Sequence, residues 1–482
     1  MNHGNPSSAA SSASRPGAAE SPLRVAIVGS GPAGFYAAEA LLRHEAATVE
    51  VDMFDRLPTP FGLVRGGVAP DHPKIKSVIR VYEKTAARDS FRFFGNVHLG
   101  RDISAAELAE RYHAVMYAYG AETDRHLGIP GEELPGSGPA TAFVGWYNAH
   151  PDYADYEFDL SCERAVVIGN GNVATDVTRM LALTPDELRV TDTADHAIEP
   201  LSGCRVKEIV VLGRRGPVQA AFTNPELREL GEMTDADIHV DPSELALDPL
   251  SREFLENEAD ITARKNIEIL EQFCQKEPEG KPRRIVLRFL TSPIEIRGDG
   301  KVESVVVGRN ELYRDESGAI RPRDTGEREE IECGLVLRSI GYKGIATEGV
   351  PFDERRGVIP NEGGRVIDPA GGLPVPGQYV IGWIKRGPSG VIGTNKKDAQ
   401  ETVGGLFEDL EAGRLPEPPR ADPDAIEELL RERQPDHVSF EGWRAIDRAE
   451  QERGEPQGRP RVKFCRIDEM VEVASSVERV AG

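Results

Sequence analysis

Residues 24–44 read RVAIVGSGPAGFYAAEALLRH. The apolar run Val25 to Val28 reads as a buried parallel strand. It stops at Gly29-Ser30-Gly31-Pro32-Ala33-Gly34 and passes into a helical pattern carrying Ala37, Ala38, Ala40, Leu41 and Leu42. A second strand, Val49 to Phe54, follows and ends at Asp55. In this strand–turn–helix–strand frame each glycine has a task. Gly29 makes the tight turn, Gly31 lets backbone approach a pyrophosphate, and Gly34 allows close packing of helix on strand. The positive end of the helix faces the phosphates. Asp55 is placed to accept from a ribose hydroxyl.

The pattern recurs at residues 163–183, ERAVVIGNGNVATDVTRMLAL. A strand, Ala165 to Ile168, leads into Gly169-Asn170-Gly171-Asn172-Val173-Ala174 and a helix. After a polar insertion, Thr184 to Lys207, the next strand is Glu208 to Leu212, followed by Gly213-Arg214-Arg215-Gly216. Two arginines occupy the place that Asp55 holds in the first unit. A carboxylate suits a ribose hydroxyl, whereas arginine suits a 2′-phosphate, so the second site is expected to prefer NADPH to NADH.

Composition bounds the rest. A chain of 482 residues is expected to form two or three domains. No apolar run is long enough to span a membrane. The net charge of −23 argues against nucleic acid and anionic membrane as partners. Residues 1–22 are rich in Ser, Ala, Gly and Pro and read as a disordered tail. Cys162, Cys204, Cys274, Cys333 and Cys465 are scattered, with no CxxC pair. This argues against an iron–sulfur cluster, a metal site or a dithiol centre on the chain, and suits a cytoplasmic location.

Between Leu57 and Pro73 four prolines and three glycines mark a long irregular loop. A helix is expected from about Pro73 to Thr85, and strands near Phe91 to Leu99 and His113 to Glu122. The helix at Asn224 sets Glu226 and Glu229 three apart on one face. Residues 235–285 read as charged and helical, and the stretch from Arg283 as a β-meander. Tyr379 to Gly382 reads as a buried strand before a helix beginning near Gly390. A Pro-rich acidic linker from Leu415 and a charged helical tail end the chain.

Two fingerprints in one chain suggest two dinucleotides that meet, with the strands ending at Gly120 and Gly341 as crossing points. FAD and NADPH are the natural pair, because NADPH gives a hydride and a flavin can accept two electrons and release them singly. A helix start at Gly390-Val391-Ile392 aimed at the flavin would stabilise negative charge on the reduced ring.

Seven stretches together, VAIVGSGPAGFYAAEALL, PFGLVRGGVAPDHPKIK, FVGWYNAHPD, VVIGNGNVATDVTRML, VVLGRRGPVQAAFT, SIGYKG and GWIKRGPSGVIGTNKKDA, resemble the adrenodoxin reductase-type ferredoxin–NADP⁺ reductases from about Leu23 to Arg461. The resemblance implies an FAD flavoprotein moving electrons between NADPH and a small iron–sulfur ferredoxin. It implies an α/β fold of two Rossmann-like, glutathione reductase-like, three-layer domains. The NADP domain, 121–341, is inserted in an FAD domain built from 23–120 and 342–482. By motif, Ala33, Asp55, Leu63, Val97, Trp383, Gly390, Val391 and Ile392 are implied to line FAD. Asn170, Gly171, Asn172, Val173, Arg214, Arg215 and Glu226 are implied to hold NADP. Family members usually carry Glu at the ribose position, where this chain has the shorter Asp55. A transient electrostatic complex with ferredoxin is expected of a monomeric reductase.

Several residues keep two readings. His72, with Glu229, either relays a proton near the flavin or is fixed by its own turn. Glu226 contacts NADP or supports Arg215; Trp383 covers the flavin or is ordinary core. Arg228, Lys385, Arg386, Lys396 and Lys397 are candidates for the ferredoxin-docking patch. Two other functions fit less well. A flavin subunit of an amidotransferase or synthase needs cysteine-ligated clusters, and an FAD-binding scaffold has no use for an arginine pair.

Overall fold

The computed structural model describes residues 16–481; of the expected disordered tail, residues 1–15 lie outside the described residues. Residues 16–22 are not a free tail. Gly17 N–H donates to the Ser21 carbonyl and Thr48 N–H to that of Gly17, which fastens this turn to the edge of the first domain.

The first sheet has seven strands. In spatial order its parallel part is Pro374–Val380, Ala114–Tyr117, Leu23–Val28, Val49–Phe54 and Phe91–Phe94. An antiparallel pair, Asn361–Glu362 and Arg365–Ile367, extends one edge. Alternation along each strand divides its residues between two cores. Val25, Ile27, Val51, Met53 and Met116 pack with helices Pro32–Leu42 and Thr394–Glu411. Ala26, Val28, Phe54, Val115 and Tyr117 pack on the opposite face with Leu108, Ile426 and Leu430. This is a three-layer arrangement, and both faces of a parallel sheet are covered.

The second sheet has six parallel strands. Their order is Ser137–Pro139, Leu335–Arg338, Arg164–Ile168, Glu208–Leu212, Arg283–Arg288 and Ala236–Val240. Val167, Val211 and Leu337 face the helical layer. Val166, Val210 and Val336 face Ile296, Val305 and Ile331 of an antiparallel three-stranded sheet. The second sheet lies, in sequence, between strands of the first, so one Rossmann-like unit is inserted in the other. The chain crosses outward after Gly120 and back after Gly341, both at positive φ. There Thr123–Asp124 pairs antiparallel with Tyr342–Lys343, forming a two-stranded ribbon.

Several local expectations change. Residues 235–285 are not uniformly helical: helices Pro249–Asn257 and Ile261–Gln275 lie between the edge strand Ala236–Val240 and its inner neighbour Arg283–Arg288. The meander begins only at Thr291. The helix expected from Pro73 to Thr85 is broken into Pro73–Lys76 and Ile79–Ala86. The charged tail is three helices, and Met470 and Ala474 of the last are buried in the first core.

Candidate functional site: two glycine loops and an ionic junction

At the first loop the three glycines face different surroundings. Gly29 has φ +108°, and a Cβ there would lie 2.5 Å from the Ala118 carbonyl. A Cβ on Gly34 would lie 2.1 Å from the Gly29 oxygen. A Cβ on Gly31 would meet nothing within 4 Å. Gly29 and Gly34 are therefore glycine for reasons internal to the fold. The space over Gly31, at the start of helix Pro32–Leu42, is open for a group that approaches the backbone. The second loop repeats this. Gly169 has φ +124° and its Cβ would sit 2.0 Å from the Ser339 oxygen, whereas at Gly171 the nearest atom is 3.9 Å away.

Asp55 accepts from Ser30 N–H at 2.9 Å, Ser30 Oγ at 2.5 Å and Leu57 N–H at 2.9 Å. A carboxylate has about four lone-pair positions, so these bonds leave Asp55 one for a ribose hydroxyl. Its main work within the chain is to hold the glycine loop. The Pro-rich segment also leans on that loop: Phe61 N–H donates to the Ser30 carbonyl, and a Cβ on Gly62 would be 2.9 Å from Gly31 Cα. Leu63, next along, is 38% exposed. Val97 is 2% exposed and donates its N–H to the Asp55 carbonyl, so it backs the strand end rather than offering surface.

Strand Pro374–Val380 leads to Gly382, where φ is +77° and a Cβ would meet Ala33 Cβ at 2.7 Å. Trp383 thus sits beside the first helical turn. Its ring centroid lies 5.2 Å from that of Tyr342, and its Nε1 is buried with no partner among the described residues. The orphan donor and the open Gly31 backbone fit a bound dinucleotide. The following helix starts at Thr394, not near Gly390. Gly390 has φ +83° and its Cβ would lie 2.6 Å from Thr394 Oγ1, so Gly390, Val391 and Ile392 form the turn before the helix. Val391 is 53% exposed there.

Around the second loop, Asn172 Oδ1 accepts from Thr223 N–H and the Asn170 carbonyl from Ala221 N–H. These bonds pin the segment after Arg214 and Arg215 to the fingerprint. Val173 is part-buried against the helical core. Arg214 is exposed and Arg215 half-buried, and neither has an ion pair among the described residues. Burial, then the charges of Arg214 and Arg321, push the Arg215 guanidinium below its ordinary value. Excess positive charge of this kind favours an anion.

His72 and Glu229 do meet: Nε2 is 2.6 Å from Oε2. Around them lies an ionic junction between the domains that the sequence did not disclose. Arg179, 2% exposed, donates to Asp71 from Nε at 2.9 Å and Nη2 at 3.2 Å. It also donates to Glu226 from Nη1 and to Asp176 from Nη2, both at 2.8 Å. Glu226 therefore supports Arg179, not Arg215. Burial pushes the Asp176 carboxyl up to about 7 against the opposing Arg179 charge, and burial likewise raises Glu226. For Asp71, burial is outweighed by the Arg179 hydrogen bond and charge, which hold its carboxyl below the usual range. His72, Asp176 and Glu226 have ligand-type atoms within 4.8 Å of one another, but the Arg179 guanidinium already fills that place as the cation. The helical i,i+3 pair Asp176 and Arg179 was visible as a spacing; its partner Asp71, 108 positions away, was not.

The docking candidates separate. Lys385 is 8% exposed and bonded to Asp398 at 2.8 Å, so it is not a docking cation. Arg386 is spent on Asp398 and Asn395. Arg228, Lys396 and Lys397 are exposed.

Residues 23–210 match the pyridine nucleotide-disulphide oxidoreductase family. The chain is 54% identical to "NADPH-ferredoxin reductase FprA" of Mycobacterium leprae, over 93% of this chain and 98% of the relative. It is 42% identical to "NADPH:adrenodoxin oxidoreductase, mitochondrial" of Arabidopsis thaliana, over 95% and 97%. The solved structure of Mycobacterium tuberculosis FprA in complex with NADPH superposes with a TM-score of 0.88 at 51% identity, covering 94% of this chain and all of that one. Two fingerprints in one nested fold, an arginine pair at the second, and these near full-length likenesses carry one conclusion: the chain belongs to the adrenodoxin reductase-type NADPH–ferredoxin reductase family.

Proposed function

We propose that the chain is an FAD-dependent NADPH–ferredoxin oxidoreductase whose two glycine loops hold the two nucleotides. FAD occupies the unit formed by 23–120 and 342–482, and NADP(H) the unit 121–341. The observation that carries this reading is the pairing of two open glycines, Gly31 between Gly29 and Gly34, and Gly171 after Gly169, whose neighbouring glycines the fold itself requires. Bound flavin supplies the exchange between hydride transfer and single-electron transfer. The chain's residues bind and orient. Gly31 and the first turn of Pro32–Leu42 receive the FAD pyrophosphate; Asp55 offers its remaining lone pair to the ribose; Trp383 Nε1 donates to the cofactor. Gly171, Asn172 and Val173 receive the NADP pyrophosphate, and Arg214 and Arg215 grip the 2′-phosphate. His72, Glu229 and Glu226 form the polar wall at the meeting of the two nucleotides, with His72 holding its proton against Glu229.

Ferredoxin docks on the exposed cations Arg228, Lys396 and Lys397 of an otherwise acidic monomer. The five free, scattered cysteines favour a reducing, cytoplasmic setting. Among the described residues no helix is long and apolar enough to cross a membrane. The test is anaerobic bleaching of bound flavin by NADPH and by NADH, followed by cytochrome c reduction with and without ferredoxin. Fast bleaching by NADPH and a ferredoxin-dependent rate are expected. Lys396→Glu with Lys397→Glu is expected to lower ferredoxin turnover several-fold and leave ferricyanide reduction by NADPH intact. Loss of both activities would sink the docking assignment.

A further inference from the structure

Arg179 lies on helix Asn172–Ala182 of the NADP-binding unit, two turns beyond the glycine loop. Its guanidinium reaches across the domain junction to the loop that carries His72. There it meets the imidazole: Nη2 is 3.3 Å from His72 Nδ1. An arginine has five N–H donors, no acceptor, and does not deprotonate in proteins. A ring nitrogen at that distance is met through its lone pair. Nη2 has two N–H groups for Asp176, Asp71 and Nδ1, so the contact with the ring shares a hydrogen; because the guanidinium only donates, it calls for a lone pair on Nδ1 and leaves the ring proton to Nε2, 2.6 Å from Glu229 Oε2.

The ring is otherwise surrounded by acidic groups. Asp176 Oδ1 lies 3.9 Å and Glu226 Oε1 3.7 Å from the same Nδ1, and Asp71 precedes His72 in the chain. With Glu229 on the other nitrogen, four carboxyl groups surround one imidazole. Arg179 presents a positive charge to it at close range, and that charge is fixed by a two-point hold on Asp71 and by bonds to Asp176 and Glu226. Such a fork cannot be copied by a lysine ammonium.

We infer that Arg179 is a positioning residue that locks His72 in its neutral Nε2–H tautomer, with the ring proton directed toward Glu229. The lock depends on the two domains being joined, because its two halves come from different units. It rests on the reading above only in that His72 belongs to the reductase site. The tautomer itself is a property of the protein.

The test is ¹⁵N NMR of the flavin-loaded enzyme labelled at histidine, with His72 assigned by loss of its signals in His72→Gln. The wild-type ring is expected to show an acceptor-type Nδ1 and a proton-bearing Nε2. In Arg179→Lys the Nδ1 signal is expected to move toward the protonated end of the range, while flavin content and far-ultraviolet circular dichroism match wild type. A wild-type ring protonated on Nδ1 would overturn the inference. So would a folded Arg179→Lys enzyme with an unaltered His72 pattern. If that variant does not fold, the wild-type spectrum still decides. Ferredoxin and NADPH are not needed for any of these readings, so failure of the tautomer lock and failure of the functional assignment are separate results.

Discussion

The contrast between Gly31 and Gly34 makes a two-sided experiment. At Gly31 the backbone has φ −73° and ψ −175°, which any residue adopts, and an added Cβ meets nothing within 4 Å. Gly31→Ala is therefore expected to leave the flavin-free protein as stable as before, or to stabilise it by about 0.4–1 kcal/mol through the unfolded chain. Once FAD binds, the methyl stands where the pyrophosphate must approach the backbone. Loss of one or two charge-assisted amide contacts, each worth about 1.5–3 kcal/mol, corresponds to an FAD Kd about 100-fold weaker. Gly34→Ala should do the opposite. Its Cβ would lie 2.1 Å from the Gly29 oxygen, so helix and strand must part, at about 1–3 kcal/mol in protein with or without flavin. The assay strips FAD from both variants, follows thermal unfolding of each apoprotein by circular dichroism, and titrates FAD by quenching of its fluorescence. A Gly31→Ala enzyme that binds FAD within threefold of wild type would falsify the placement of the pyrophosphate. A large drop in its apoprotein Tm would refute the claim that the space is open.

Two further perturbations follow from the same geometry. Arg214→Ala with Arg215→Ala is expected to lower kcat/KM for NADPH by about two orders of magnitude, from the loss of two charge-assisted contacts, and to change that for NADH less than threefold; persistent discrimination in steady-state assays would mean other groups read the 2′-phosphate. His150 is held neutral mainly by burial, aided by Arg56 and Arg65 and opposed by Asp152, which brings its imidazole down to about 4. Its Nδ1 accepts the Asp152 N–H at 3.2 Å, a bond that protonation would end. Between pH 6.5 and 4 the unfolded chain takes up a proton that the native ring refuses, so stability should fall as pH falls through that window, by about 3 kcal/mol in all. Unfolding curves of wild type and His150→Asn at pH 7 and pH 4.5 check this; equal losses in both proteins would assign the acid sensitivity elsewhere.

What was legible in the sequence was local. Strand Leu23–Val28, the glycine turn and helix Pro32–Leu42 are adjacent in the chain, and their spacing is imposed by the hydrogen-bond geometry of a strand running into a helix. The same holds for Arg164–Ile168 and its helix. Edge strand Ala236–Val240 is missed because it sits among charged residues, as edge strands do, and lacks the long apolar run of a central strand. Arg283–Arg288 reads as the start of the meander, yet it pairs between Glu208–Leu212 and Ala236–Val240 in the second sheet. Lys385 looked like a surface cation because nothing local announces that Asp398, thirteen positions on, would bury it. Glu226 reads as a contact to NADP or a support for Arg215, and the fold turns it toward Arg179, 47 positions away.

The sequence by itself determined where the two strand–turn–helix units stand and where backbone is left bare, because the absence of a side chain at Gly29, Gly31, Gly34, Gly169 and Gly171 is a property of single residues. It also placed two positive charges, Arg214 and Arg215, after the strand of the second unit. Only the tertiary structure decided which groups surround His72. Asp71, Arg179 and Glu226 come from three separate segments and two domains, and they converge only after both sheets have formed and the ribbon at Thr123–Asp124 and Tyr342–Lys343 has set one unit against the other. Long-range ion pairs of this kind leave no periodicity in the chain, since their geometry is fixed by packing rather than by the spacing of neighbours.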